Sequence, residues 1–326
     1  MGPFGCVVAV TYRCNSRCTM CDIWKLNPAP GSELGPEAYR WLPSSLRTIN
    51  VSGGEPFLRD DLPDVVRVMR ETCPRARIVV STNGLRPRRI TETVAELGDV
   101  AIRISVDAVG EKHDEMRGTR GAFDRAMETV RRLQELGVSD IGLGATSTEM
   151  NVGDVTEVRE LARERGIRFV ATAAHSSPIF FGSHDEERPH SEGAVREVAS
   201  LMRERLASRN PVDWAKAYYM RGLIDYIQRK PRRLPCRAGI DFFFLDPEGN
   251  VYPCNISGTK MGNIREGTFT ELQSRSAGEV RPTVADCREQ CWMVCTVVPP
   301  MRRRPLKPVV WIAGAKLLGL DTHIGE

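Results

Sequence analysis

With 326 residues, 41% of them apolar and 27% charged, the chain has the composition of a soluble globular protein and room for one large domain, or a large and a small one. A formal net charge of +4, with arginines scattered among acids, gives no basis for nucleic-acid binding. The opening MGPFGCVVAVTYRC lacks the basic and long apolar segments of a signal peptide and no run reaches membrane-spanning length, so a cytoplasmic protein is expected.

Apolar β-rich runs at 7–11, 48–52, 77–81, 101–106, 141–145 and 168–173 alternate with amphipathic segments, clearest at 62–71, 87–97, 123–136 and 155–165. Gly137 and Gly166 follow the last two as helix stops. This order predicts parallel βα units with right-handed crossovers: an α/β fold forming a partial, TIM-like (β/α)6 barrel, with a flat doubly wound sheet as the alternative. Ligands then belong at the C-terminal ends of the strands. After residue 174 the pattern breaks into a loop, HSSPIFFGSHDEERPHSEG, followed by helices near 194–207 and 212–228. From Pro235 a Cys-rich region holds the hairpin DFFFLDPEGNVYPC, turning at Pro-Glu-Gly-Asn. The expected organisation is a core at 1–175, a helical connector at 176–234, a small Cys-rich domain at 235–300 and a basic–apolar tail at 301–326.

In a reducing compartment ten cysteines are not expected to form disulfides. Eight cluster as metal ligands do, whereas Cys6 and Cys73 stand alone and read as small buried hydrophobes. Cys14, Cys18 and Cys21 have the spacing C-x3-C-x2-C directly after the first strand. As a buried helix face the segment is poor, because Asn15, Ser16, Arg17 and Thr19 intervene. As structural zinc it lacks a fourth local ligand. An iron–sulfur cube accounts for the deficit, since three thiolates leave one iron open to a small molecule. SGGEP at 52–56, STNG after the third strand and SVDA after the fourth sit at the same rim. Taken singly, each is also an ordinary turn.

Together these motifs resemble the radical S-adenosylmethionine (SAM) superfamily over roughly residues 6 to 175. Members often carry an aromatic residue before the third cysteine; here Met20, another soft packing residue, stands there. The resemblance implies that Cys14, Cys18 and Cys21 hold a 4Fe–4S cluster whose open iron takes the amine and carboxylate of SAM. It further implies that Gly53, Gly54 and Glu55 meet the SAM amino group, that Ser81, Asn83, Ser105 and Asp107 meet the ribose or carboxylate, and that Arg117 bonds a carboxylate.

Cys236 and Cys254 frame C-x12-G-x4-C, and Cys287, Cys291 and Cys295 follow as C-x3-C-x3-C. A zinc-ribbon-like site is the plainer alternative. The pattern resembles the auxiliary-cluster domains called SPASM and twitch. Five cysteines fit the shorter form with one 4Fe–4S cluster, leaving one cysteine of the last three to spare.

The resemblance implies reductive cleavage of SAM to a 5′-deoxyadenosyl radical that abstracts a substrate hydrogen, with the auxiliary cluster taking an electron: an oxidoreductase fed by a reductant such as flavodoxin or ferredoxin. Thirteen residues precede Cys14, which leaves no space for a built-in peptide-recognition domain and favours a small alcohol, sugar or cyclitol. A peptide maturase or epimerase is the rival, and a non-catalytic zinc or iron–sulfur protein the rival from another class. His175 is placed to meet a substrate, or is a loop histidine without a role. Arg302, Arg303, Arg304 and Lys307 ahead of VVWIAGAKLLGL suit contact with a membrane surface; a helix docked on the barrel is the favoured alternative.

Overall fold

A computed structural model describes residues 2–26, 28–177, 181–182, 184, 188–321 and 323–324. Part of the loop expected after residue 174, at 178–180, 183 and 185–187, lies outside the described residues.

The six expected strands form as β1 (Gly5–Thr11), β2 (Thr48–Gly53), β3 (Arg77–Thr82), β4 (Ala101–Ser105), β5 (Ile141–Ser147) and β6 (Arg168–Ala173). All pair in parallel in chain order. Between them run α1 (Leu62–Thr72), α2 (Pro87–Leu97), α3 (Glu111–Arg117), α4 (Ala122–Glu135) and α5 (Asp154–Glu164). Pro63 and Pro87 open α1 and α2, where a missing N–H costs nothing. Gly137 and Gly166 take positive φ, 80° and 65°, beyond α4 and α5. The sheet does not close into a barrel: β6 is one edge and its partners run on through β1 to another element.

That element is the predicted hairpin. β7 (Phe242–Leu245) pairs in parallel with β1, Gly5 opposite Phe242 and Val8 opposite Leu245. β8 (Asn250–Tyr252) and β9 (Gly262–Asn263) then add antiparallel, completing nine strands in the order β6-β5-β4-β3-β2-β1-β7-β8-β9. The Cys-rich region is therefore hydrogen-bonded into the same open sheet as the six parallel strands.

β1, central and buried throughout, shows how the two regions share a core. Cys6, Val8 and Val10 face the main core with the helices, whereas Val7 and Ala9 pack with Phe242, Phe244, Tyr252 and Cys254. The lone cysteines behave as expected, Cys6 and Cys73 both lying in the main core. Beyond β6, α6 (Glu192–Ala207) is capped by Ser191, and α7 (Pro211–Ile227) by Asn210. Two further helices were not anticipated, α8 (Phe269–Ala285) and α9 (Val294–Arg303), and the tail forms α10 (Leu306–Leu318). The last docks on α7 and α6, the favoured expectation for the tail. No helix among the described residues is long and apolar enough to cross a membrane.

Candidate active site

The C-terminal ends of all six parallel strands open onto one cavity of about 220 Å3. Cys14, Cys18 and Cys21 form one wall, and the strand ends contribute Ser52 and Gly53, Ser81 and Thr82, Ser105, Thr146, and Thr172. Met293, from the distant Cys-rich region, closes another side.

The thiol loop is held largely by backbone, with Ser16 adding a side-chain bond. Gly54 N donates to Thr11 O at 2.7 Å and Glu55 N to Arg13 O at 2.8 Å, fastening the end of β2 to the strand that delivers Cys14. A Cβ on Gly53 would collide with the Thr11 carbonyl, and one on Gly54 with that of Arg13; Gly53 also takes φ 125°. From the other side Arg17 N donates to Arg117 O (3.0 Å), Thr19 N to Met116 O (3.0 Å) and Ser16 Oγ to Arg117 O (2.9 Å). Gly118 is needed beside Arg117 because a Cβ there would strike the Arg17 carbonyl, and its φ is 58°.

Arg117 lines the cavity. Its guanidinium lies 2.6 Å from the buried Asp107 carboxylate and reaches Cys18 Sγ at 3.6 Å. Burial opposes its charge, but Asp107 and Cys18 more than offset that and hold it protonated above the usual arginine range. Asp107 also accepts from Thr146 N (2.9 Å), and its own N–H donates to His113 Nδ1 at 3.1 Å. Asp107 is thus the counter-ion behind Arg117, with its carboxylate turned to β5. Glu55 is likewise buried and fully engaged, accepting from Asn83 N (2.7 Å), Thr82 Oγ1 (2.8 Å) and Phe57 N (3.2 Å). Burial pushes its carboxyl up to about 7 against those three hydrogen bonds. Asn83 donates to Asn15 Oδ1 at 2.8 Å and joins the cavity wall, as do Ser81 and Ser105.

The donor set fits a cluster. Burial pushes the Cys14 thiol up to about 11 and that of Cys21 to about 12, so as free thiols they are neutral and ligation would release protons. Arg117 supplies the cation that bound thiolates would need. A cubane offers its irons at separate corners, so the three thiols need not converge as they would on one ion, and among the described residues no such single-ion group forms. The three half-buried cysteines line the cavity, which leaves space for a further ligand.

The second set gathers from separated pieces. Cys254 and Cys291 are buried, and Cys236 and Cys295 pack with them in one apolar cluster that also takes in Cys14, Cys21, Ile23 and Met293. Cys287 lies outside that cluster but close enough to Cys291 to act on its thiol. Burial raises Cys291 to about 11 and Cys295 to about 12. Arg232 reaches Cys291 Sγ at 3.5 Å and donates also to the Cys291 carbonyl.

His175 lines the cavity as expected, yet both ring nitrogens are committed. Nδ1 meets Ala173 O at 2.6 Å, Nε2 accepts from Trp292 N at 3.3 Å, and the ring stacks on Tyr226 at 4.5 Å. Burial pulls it down to about 3. It is a neutral joint between β6 and the segment carrying Cys291, a role absent from either reading of the sequence. Ser16, Met293 and Arg232 were also missed; only the proximity of each to a cysteine in sequence or in space marks them.

Comparison with known proteins agrees with this geometry. The family model described as the radical SAM superfamily matches residues 8–164, and an iron-sulfur cluster-binding domain model, SPASM, matches residues 236–296. Fe-coproporphyrin III synthase of Methanosarcina barkeri is 35% identical over 48% of this chain, and the sporulation killing factor maturation protein SkfB of Bacillus subtilis is 25% identical over 83%. The chain spans 40% and 65% of the lengths of these two relatives. Among solved structures, anSMEcpe with bound AdoMet and a Kp18Cys peptide superposes with a TM-score of 0.63 at 14% identity, covering 98% of this chain and 99% of that one. Radical SAM domains bind a 4Fe–4S cluster and SAM, and SPASM domains bind auxiliary iron–sulfur clusters. The chain belongs to the radical SAM superfamily and carries a SPASM-type iron–sulfur cluster-binding domain.

Proposed function

We propose that this chain is a radical SAM oxidoreductase that removes a hydrogen atom from a substrate in the cavity and passes the remaining electron to an auxiliary 4Fe–4S cluster, a net two-electron oxidation. One observation carries the reading: Cys14 and Cys21 share a single apolar cluster with Cys236, Cys254, Cys291 and Cys295. Electron transfer needs such close, dry contact. Cys14, Cys18 and Cys21 would hold the first cluster, which with SAM bound would supply one-electron reductive cleavage and hydrogen abstraction. The chain's own residues do the rest. Gly53 and Gly54 bring bare backbone to the rim, and Arg117 offers a cation to a carboxylate. Asn83, Ser81 and Ser105 offer polar groups to a ribose, while Glu55 and Asp107 act from behind these groups. Cys236, Cys254, Cys291 and Cys295 are the four auxiliary ligands in this reading, and Cys287 is the spare.

For the substrate, a small alcohol, sugar or cyclitol is supported by the hydroxyls in the lining, seven in all: Ser16, Ser52, Ser81, Thr82, Ser105, Thr146 and Thr172. A peptide maturase is the second reading, favoured by the likeness to SkfB across four-fifths of the chain. The reading includes a reducing, cytoplasmic setting, in which thiols stay available as cluster ligands, and a flavodoxin or ferredoxin as electron donor.

Anaerobic reconstitution tests the function. About eight irons per chain and 5′-deoxyadenosine after reduction are expected. Bound zinc, or no SAM cleavage, would overturn it. Deuterium transfer into 5′-deoxyadenosine from labelled cyclitols or labelled peptides then selects the substrate.

A further inference from the structure

We propose that the outer face of α10 is a docking surface for anionic lipid, holding the enzyme on a membrane without crossing it. α10 is apolar on two opposite sides. Pro308, Trp311 and Ala315 turn inward and are buried, the Trp311 indole donating to Asp321 at 2.8 Å with its ring 5.6 Å from Tyr218. On the opposite side Leu306, Val309, Val310 and Leu317 stand 76%, 57%, 68% and 80% exposed. At 100° per residue these four share one stripe. A surface helix ordinarily turns charge outward, and one apolar all round is covered on both sides.

Charge identifies what covers it. Between Arg302 and Leu320 there are five cations and no carboxylate. Arg302, Arg304 and Lys307 are exposed in the segment leading into α10 and its first turn, Arg302 lying over the Phe4 ring and Lys307 donating to Arg233 O at 3.4 Å. Arg303 is paired with Asp241, and Asp321 is taken up by Trp311, Arg221 and Arg233. A second copy set against this face would bring cations to cations with no acid between them. An anionic lipid surface supplies the missing charge and an apolar layer for the leucines. Thirteen helical residues reach only about 20 Å, short of a hydrocarbon core of about 30 Å, so the helix lies in the interface.

Flotation of the full-length holoprotein tests this, using vesicles of phosphatidylcholine alone and of phosphatidylcholine mixed with phosphatidylglycerol. The protein is expected to float with the mixed vesicles only, and less so as salt rises. V310S/L317S is expected to lower partitioning about tenfold or more, since each half-buried side chain contributes about that. R302Q/R304Q/K307Q is expected to abolish the preference for anionic vesicles. Iron content and SAM cleavage should be unchanged in both variants, which separates surface from folding effects. Recovery in the soluble fraction with both vesicles, or equal flotation with both, would overturn the proposal. So would a dimer in solution that V310S/L317S dissociates, because a second copy would then own the face.

Discussion

The two thiol groups are built on opposite plans. Cys14, Cys18 and Cys21 come from one short loop, are half-buried and line a cavity. The auxiliary five come from a hairpin and a distant segment, and Cys254 and Cys291 are closed off. A molecule needs space at an iron; an electron needs only nearness and a low dielectric. Each region nevertheless places one arginine against one sulfur, Arg117 on Cys18 and Arg232 on Cys291.

The sharpest break between the regions is by ligand deletion. Replacing Cys14, Cys18 and Cys21 by alanine is expected to abolish 5′-deoxyadenosine formation outright. C254A is expected to spare SAM cleavage while halving the iron to about four atoms per chain and losing substrate oxidation. Loss of SAM cleavage in C254A would mean that the two regions cannot be separated.

Next in size is the backbone brace of the first region, where two glycines lie against carbonyls of the thiol loop. G53A must push the Thr11 carbonyl away and hold a side chain at φ 125°. A cost of about 3 kcal/mol or more is expected, with failure to retain the first cluster while the auxiliary one survives. Spectroscopy of the purified variant checks this: equal loss of both clusters would indicate global unfolding.

Much of the first region could be read in advance because it is local. The βα alternation, the three cysteines and Gly53–Gly54 lie in short stretches whose chemistry does not depend on distant partners. What Glu55 and Asp107 touch could not be read, since each faces residues brought in by other elements, Thr82 and Asn83 at the end of β3 for one, Thr146 of β5 and Arg117 of α3 for the other. The second region was legible only as a count. Nothing local in DFFFL says that it will pair with β1, and no helix was expected through Pro299 and Pro300 in α9. For α8 a signal existed: Thr268 and Glu271 form a capping box at its start.

Two neutral histidines are buried, His113 inside the first region and His175 where that region meets the second, which gives a smaller, pH-dependent test. Burial, then the Arg117 charge, pulls His113 down to about 4 from 6.5. A folded value below the unfolded one means that the stabilisation is complete above pH 6.5 and is lost as pH falls toward 4. Within that window the slope is up to about 1.4 kcal/mol per pH unit. H113Q should reduce the slope of the urea midpoint across this window, leaving the contribution of His175, which begins at the same pH 6.5 and runs on down to about 3. An unchanged profile would remove His113 as the titrating group.

The finest contrast lies in the two arginines. Arg232 contacts the sulfur and carbonyl of Cys291 and donates to Thr296 O at 3.3 Å, so its charge faces an auxiliary ligand directly. A cation and a hydrogen bond at a cluster thiolate favour the reduced, more negative state and raise the potential. R232Q is expected to lower the auxiliary potential by tens of millivolts, on the order of a few-fold to tenfold in the reduction equilibrium, and to leave the SAM-binding cluster unmoved. R232K, which keeps the charge, should recover part of the shift. Redox titration followed by electron paramagnetic resonance reads both clusters in one sample. A common shift of both would make Arg232 a packing residue, whereas a shift of the auxiliary cluster alone would make it the group that sets how readily that cluster accepts the substrate's electron.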